Sequence, residues 1–317
     1  MSARRTLLAQ TFHSPHWSVD ELPSLEGKNI IVTGSTAGLG KETCLQLGKK
    51  KANIYCVGRN ATKLEELVVE LKKECQNDNI HFLVADMMDL VSVEKAADEF
   101  LSKNIQLDVL VNNAGIMHAP WSLSKQGIES QFATNHFATT VLTMKLLPAL
   151  ADRSRIVTLS SIAHYSAIPS GGIAYDKLND ELNYDNNSRY SETKLANIHF
   201  TKYLQQLLNE NGKNVFVNCV HPGVVKTGLF ANSPWYVKLI DGFFINTQRG
   251  ALTQIFVAAD KSIETNNYKG EYFATYCTKD TPSEYALNDS MIKATASWTE
   301  SILKKQFRSD WSFSINR

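Results

Sequence analysis

Short β-branched runs alternating with longer helical patterns constrain this chain more than any other feature. Strands are expected at residues 29–32, 53–57, 80–84, 109–112, 155–159, 215–220 and 271–273. Helical spacing covers 39–50, 63–75, 91–103, 128–150, 190–211 and 248–260. Such alternation predicts βαβ units and a parallel sheet. Runs such as Val109-Leu110-Val111 are apolar throughout, as in strands covered by helices on both faces. The expected fold is therefore a doubly wound α/β domain over residues 28–317, and 43% hydrophobic residues supply its core. Residues 1–27, with Pro15, Pro23 and Gly27, form an N-terminal arm.

Composition excludes several function classes. A formal net charge of +1, with Lys49-Lys50-Lys51 closing a helix, gives no footprint for nucleic acid. Five scattered cysteines without C-x-x-C suit buried thiols in a reducing compartment, not a disulfide framework or a zinc site. No H-E-x-x-H or similar spacing offers a metal site. No stretch of 18 or more apolar residues is present, so no transmembrane segment is expected and the location is read as cytoplasmic. The segment from Trp298 to Phe313 reads as a terminal helix docked on its own domain, with contact to a membrane surface as the alternative. The stretch 227–247, rich in Phe, Trp and Ile, is a poor sheet element and a better lid.

The first strand runs into Thr33-Gly34-Ser35-Thr36-Ala37-Gly38-Leu39-Gly40 and then a helix. Glycines there permit a tight turn, backbone approach to a pyrophosphate and close packing of helix on strand. The helix start adds unpaired N–H groups and a positive dipole end. A dinucleotide site follows.

These residues resemble the short-chain dehydrogenase/reductase family, whose cofactor signature is T-G-x-x-x-G-x-G. Asn112-Asn113-Ala114-Gly115 is similar to its second signature, and Tyr190-Ser191-Glu192-Thr193-Lys194 to its Y-x-x-x-K. His221-Pro222-Gly223-Val224-Val225-Lys226-Thr227 is similar to its P-G-x-x-x-T. The motifs fall in family order across about two thirds of the chain. Gln131–Phe137, Ser160–His164 and Ser191–Asn197 further resemble the retinol-dehydrogenase-like branch. Ala138-Thr139-Thr140 departs from that branch and no N-terminal membrane anchor is recognised, so retinoid substrates are not carried over.

The resemblance implies a Rossmann-type, seven-stranded sheet in the order 3-2-1-4-5-6-7 and hydride exchange between a nicotinamide dinucleotide and a carbonyl or alcohol. It places Ser161 and Tyr190 on the substrate oxygen, with Ser160 as the structural alternative. Lys194 goes to the nicotinamide ribose, and Asn135 to a water relay. Cofactor contacts are implied for Gly34, Ser35, Thr36, Gly38, Leu39, Gly40, Asp86, Asn113, Ala114, Gly115, Tyr190, Lys194, Pro222, Gly223, Val225 and Thr227. It also implies a homodimer through helices 128–150 and 190–211.

The chemistry is consistent with the residue types. A tyrosine works as an acid–base catalyst near neutrality only if its pKa, normally near 10, is lowered. A lysine four residues along a helix lies on the same face and supplies the charge. The cofactor reads as NADP(H): Gly58 stands where an acid would hold a ribose hydroxyl, and Arg59 suits a 2′-phosphate. The lid's composition points to a bulky or lipophilic substrate. A catalytically silent cofactor-binding sensor or scaffold is the main rival. A hydrolase built on Ser161 and His164 is another, without a G-x-S-x-G elbow to support it.

Overall fold

Asn29–Thr33 reads NIIVT, and its consecutive apolar side chains leave the strand on opposite faces. Ile31 joins one core layer while Ile30 and Val32 join the other. The same division holds for Leu110 against Val109 and Val111. A strand that is apolar on both sides needs two covering layers, and the fold supplies them. The computed structural model describes residues 15–225 and 244–315.

In chain order the elements are β1 (Asn29–Thr33), α1 (Gly38–Lys49), β2 (Asn53–Gly58), α2 (Ala61–Cys75), β3 (Ile80–Val84), α3 (Leu90–Leu101) and β4 (Leu107–Asn112). A composite helix α4 follows, built from Ser130–Phe132, a π-helical stretch Ala133–Phe137 and Ala138–Leu146. Then come β5 (Leu150–Leu159), α5 (Asn186–Glu210), β6 (Phe216–Val220), α6 (Thr247–Ala259), β7 (Tyr272–Ala274), β8 (Thr278–Asp280) and α7 (Asp289–Gln306). The sheet order is β3-β2-β1-β4-β5-β6-β7-β8, parallel except for the last pair.

The sheet thus has eight strands where seven were expected. The extra edge strand, Thr-Lys-Asp, carries no apolar pattern, and its first two side chains are exposed. β5 begins five residues earlier than expected, through a polar stretch where its register against β4 shifts. The expected helix 128–150 is interrupted at Asn135 by the wider π turn. Periodicity does not reveal such turns, which often mark functional sites.

Residues 15–27 lie against the α1–α6 layer. Trp17 packs edge-on to Phe256 at 5.3 Å, and its ring nitrogen donates to Asp260 at 2.9 Å. Leu22 and Leu25 are buried in the same layer.

On the opposite face α7 docks on α4 and α5, as the reading of Trp298–Phe313 expected. His136 Nε2 bonds Thr299 Oγ1 at 2.8 Å, and His199 Nδ1 bonds Thr295 Oγ1 at 2.7 Å. Trp298 packs on Phe132 and Phe137. The chain's own C-terminal helix thus packs on both helices that the resemblance assigned to a dimer interface. Light scattering is expected to return the mass of one chain, 35.4 kDa. A stable mass of twice that value would contradict this expectation.

Candidate active site

Thr33 closes β1 with a hydroxyl that accepts the amides of Asn113 at 3.0 Å and Ala114 at 2.9 Å. Asn113 returns the contact, its side-chain amide donating to the Thr33 carbonyl at 2.8 Å. These bonds join the glycine loop to the end of β4. Gly34 has φ +66°, and a Cβ there would lie 2.9 Å from Ala114 Cα. At Gly40 a Cβ would strike the Gly34 carbonyl, so only glycine lets α1 sit this close. α1 begins at Ala37 without a side-chain cap. By contrast, α2 to α7 begin with Asn60, Asp89, Glu129, Asp185, Asn246 and Asn288, each accepting a backbone N–H. The first amides of α1 are thus left for another acceptor.

Two cavities meet over this loop. One, of about 380 Å³, is bounded by Thr36, Gly58, Arg59, Asp86 and Thr134. The other, of about 240 Å³, runs past Leu39 and Pro222 to Tyr190 and Lys194. Both share Gly34, Ala114 and Gly115, making one elongated groove at the carboxyl ends of the strands. That is where open α/β sheets bind ligands.

Most of the expected contact residues line this groove, with instructive departures. Ser35 is fully buried, and its hydroxyl donates to the Val57 carbonyl at 3.1 Å, so it fastens the loop to β2 rather than facing the groove. The Asn113 side chain braces the loop, as above. Val225 packs its side chain with Ile245 and Tyr276. Gly223 adopts φ +93°. Thr227 lies outside the described residues, as does the lid up to residue 243. Its final residues place Ile245 in a bridge with Val225 and use Asn246 to cap α6.

At the inner end, β5 and α5 converge. Ser161 follows β5, half-buried, and its hydroxyl lies close enough to Tyr190 to pull that phenol's pKa down. Ser160 donates its hydroxyl to the Lys194 carbonyl at 2.7 Å and so braces α5. Lys194 Nζ sits 5.4 Å from the centre of the Tyr190 ring and donates to the Leu159 carbonyl at 3.2 Å. Burial pushes Tyr190 up to about 12, with the Ser161 hydrogen bond pulling the other way. Burial pushes Lys194 down to about 8, with Cys219 opposing. At neutral pH the site therefore holds a phenol beside an ammonium.

Asn135 is fully buried in the π turn of α4. Its side chain accepts from the Ile116 amide at 2.8 Å, donates to the Ile116 carbonyl at 3.0 Å and donates to Thr193 Oγ1 at 3.0 Å. A Cβ on Gly115 would come within 3.5 Å of Lys194 Nζ and 3.2 Å of Asn135 Oδ1, so glycine here lets both groups approach the backbone. Sequence reasoning did not single out Thr193 or Thr33; both stand inside the matched motifs, where their neighbours drew the attention. Gln254, bonded to Thr43 at 2.5 Å and to the Leu39 carbonyl at 3.5 Å, carried no motif at all. Among the described residues no cluster of His, Cys, Asp and Glu could hold a metal.

Comparisons with known proteins fit this geometry. The short chain dehydrogenase family model matches residues 28–175. An uncharacterized oxidoreductase of Schizosaccharomyces pombe is 34% identical over 276 residues, covering 82% of this chain and 80% of its own. The chain belongs to the short-chain dehydrogenase/reductase family. Within that family, retinol dehydrogenase 12 of Mus musculus is 33% identical, covering 79% of this chain and 78% of its own. Polyprenol dehydrogenase of Homo sapiens is 32% identical, covering 88% and 85%. A solved structure of an uncharacterized protein from Mycobacterium paratuberculosis superposes with TM-score 0.75 at 29% identity, over 92% of this chain and 98% of that one. A Burkholderia cenocepacia short chain dehydrogenase in complex with NADP shares the fold, with TM-score 0.64 at 22% identity over 80% and 98%.

Proposed function

We propose that this member of the family is an NADP(H)-dependent oxidoreductase interconverting a bulky, lipophilic carbonyl compound and its alcohol. The observation carrying the proposal is the meeting of Tyr190 and Lys194 at the inner end of the groove, with Ser161 acting on the Tyr190 hydroxyl. The groove's shape fits a dinucleotide: Gly34 lines it, Gly40 lets α1 pack close to its loop, and α1 presents uncapped amides to a pyrophosphate. When bound, the nicotinamide supplies or accepts the hydride.

Everything else falls to the chain. The Ser161 and Tyr190 hydroxyls hold the substrate oxygen. Tyr190 releases its proton from Oη as charge develops there, and the Lys194 ammonium, aimed at the ring, stabilises the resulting phenolate. In the resting site burial raises this phenol's pKa to about 12, against the lowering expected from the sequence, so stabilisation of the phenolate falls to the Lys194 ammonium as charge develops. Asn135 steadies the Ile116 segment and Thr193 around that ammonium. A lipophilic substrate is supported by the apolar stretch 227–247 and by relatives whose names include retinol and polyprenol. A cytoplasmic location is supported by five free, buried cysteines. Retention of both Tyr190 and Lys194 speaks against a silent scaffold.

The choice of NADP(H) rests on Arg59, which lines the groove and joins none of the ion pairs among the described residues. Its neighbour Gly58 leaves little room for an acid, since a Cβ there would lie 3.2 Å from Thr36 Cγ2. A charge-assisted hydrogen bond contributes roughly 1.5–3 kcal/mol, so Arg59→Ala is expected to weaken NADPH by about ten- to a hundredfold. NADH affinity should hardly move. Fluorescence titration with both cofactors checks this, and equal losses for both would overturn the NADP(H) assignment.

A further inference from the structure

We infer that His164 is a positioning residue for Ser161, a neutral imidazole that fixes the serine's carbonyl on one side and the chain after β8 on the other. The inference rests on reading Ser161 as a donor to the substrate oxygen. His164 is fully buried. Its Nδ1 lies 2.7 Å from the Ser161 carbonyl oxygen, and its Nε2 lies 3.1 Å from the Ser283 backbone nitrogen.

These two partners leave one tautomer. A carbonyl oxygen can only accept, so Nδ1 must carry the proton. A backbone N–H can only donate, so Nε2 must be bare. Burial pushes the ring's pKa down to about 4, so this neutral form persists at working pH. The ring is further held between Tyr165, centroid to centroid 4.2 Å, and Tyr272 at 5.5 Å.

The bond matters because of where Ser161 sits. It is the N-cap of the 3₁₀ turn Ile162–Ser170, and its own hydroxyl accepts the Ala163 amide at 3.2 Å. Its backbone therefore decides where that hydroxyl stands relative to Tyr190. β5 fixes the chain on the N-terminal side of the serine. On the other side the carbonyl is fixed by His164, with the His164 amide adding a 3.1 Å bond to the same oxygen. Losing the ring would leave the serine's carbonyl to the longer His164 amide bond alone, loosening its peptide, and displacements of about 1 Å can cost up to a hundredfold in rate. The Ser283 end makes the clamp long-range, joining the turn after β5 to the segment leading into α7.

Two amide substitutions separate the two halves of the clamp. In His164→Asn the side-chain NH₂ reaches the place of Nδ1 and keeps the bond to Ser161. In His164→Gln the side-chain oxygen reaches the place of Nε2 and keeps only the bond from Ser283. The experiment measures kcat and KM on the best available carbonyl, with NADPH dissociation constants and melting temperatures, for these two variants, His164→Ala and Ser161→Ala. Expected are a kcat lowered about ten- to a hundredfold in His164→Ala and His164→Gln, a kcat within about threefold of the parent in His164→Asn, and unchanged NADPH affinity throughout. If His164→Ala does not accumulate as folded protein, the Asn and Gln pair carries the test alone. Rescue by Gln and not by Asn, or equal rates in both, would overturn the inference. A fully active Ser161→Ala would instead overturn the reading of Ser161 beneath it, whereas an inactive Ser161→Ala beside a normal His164→Gln would sink the His164 role alone.

Discussion

Tyr190→Phe is expected to lower kcat by about a thousandfold while NADPH affinity stays within a few-fold of the parent. The substitution removes one oxygen from a side chain that is 6% exposed and keeps the ring in place. General acid–base catalysis by a placed side chain contributes roughly a hundred- to ten-thousandfold, so loss of the phenol should fall near the middle of that range. The groove walls at Gly34, Thr36 and Arg59 are untouched, and these carry the expected cofactor contacts. Removing a buried hydroxyl also eases its desolvation, so the variant should fold. Steady-state rates and a cofactor titration on the same preparation measure both halves. A variant within tenfold of the parent rate would remove Tyr190 from the chemistry.

Lys194→Met should show a different pattern: turnover lost, stability gained. A lysine whose pKa burial pushes from 10.5 down to about 8 carries an unfavourable charge on the order of 3 kcal/mol. Below pH 8 the side chain is charged in both folded and unfolded states, so this cost is present in full. Between about pH 8 and 10.5 the folded chain sheds the proton first, and the cost fades; above that window it is gone. The variant should therefore be more stable than the parent at pH 7, by about 1–3 kcal/mol, with the difference shrinking toward pH 10. The Leu159 carbonyl keeps a partner, because Asn197 also donates to it at 3.0 Å. Denaturant unfolding at several pH values checks the trend. A variant less stable than the parent at pH 7 would mean that Lys194 is not held there at a cost to the fold.

Much of this site was legible because its chemistry is local in the chain. Tyr190 and Lys194 are one helical turn apart, and the glycines of the first loop stand within seven residues. Short spacing ties residue type directly to geometry. Ser161 and Asn135 needed the ordered family motifs, since each reaches the site from a separate element. The extra strand was missed for want of an apolar pattern, while the other misread features depend on contacts distant in sequence. Ser35 stands in the glycine loop as an implied cofactor contact, and only the neighbouring strand shows that its hydroxyl is engaged by Val57. The π turn at Asn135 follows from a side chain bonded across to Ile116 and Thr193, which no periodicity reports. Likewise, nothing in the pattern of helices 128–150 and 190–211 reveals that α7 packs on them. His164 reads as an ordinary buried histidine until Ser283, more than a hundred residues away, is seen beside it.

If the groove and the Ser161–Tyr190–Lys194 group work together on a carbonyl, the reduction can be followed directly. The most direct measurement follows nicotinamide absorbance with NADPH and a panel of aldehydes and ketones, from small and polar to large and apolar, with product analysed by chromatography. Expected are NADPH consumption matched one-to-one by alcohol, highest kcat/KM on large apolar members, and a rate about a thousandfold lower in Tyr190→Phe. Firm NADPH binding with no consumption across the whole panel, or ester hydrolysis without any nucleotide, would contradict this joint role.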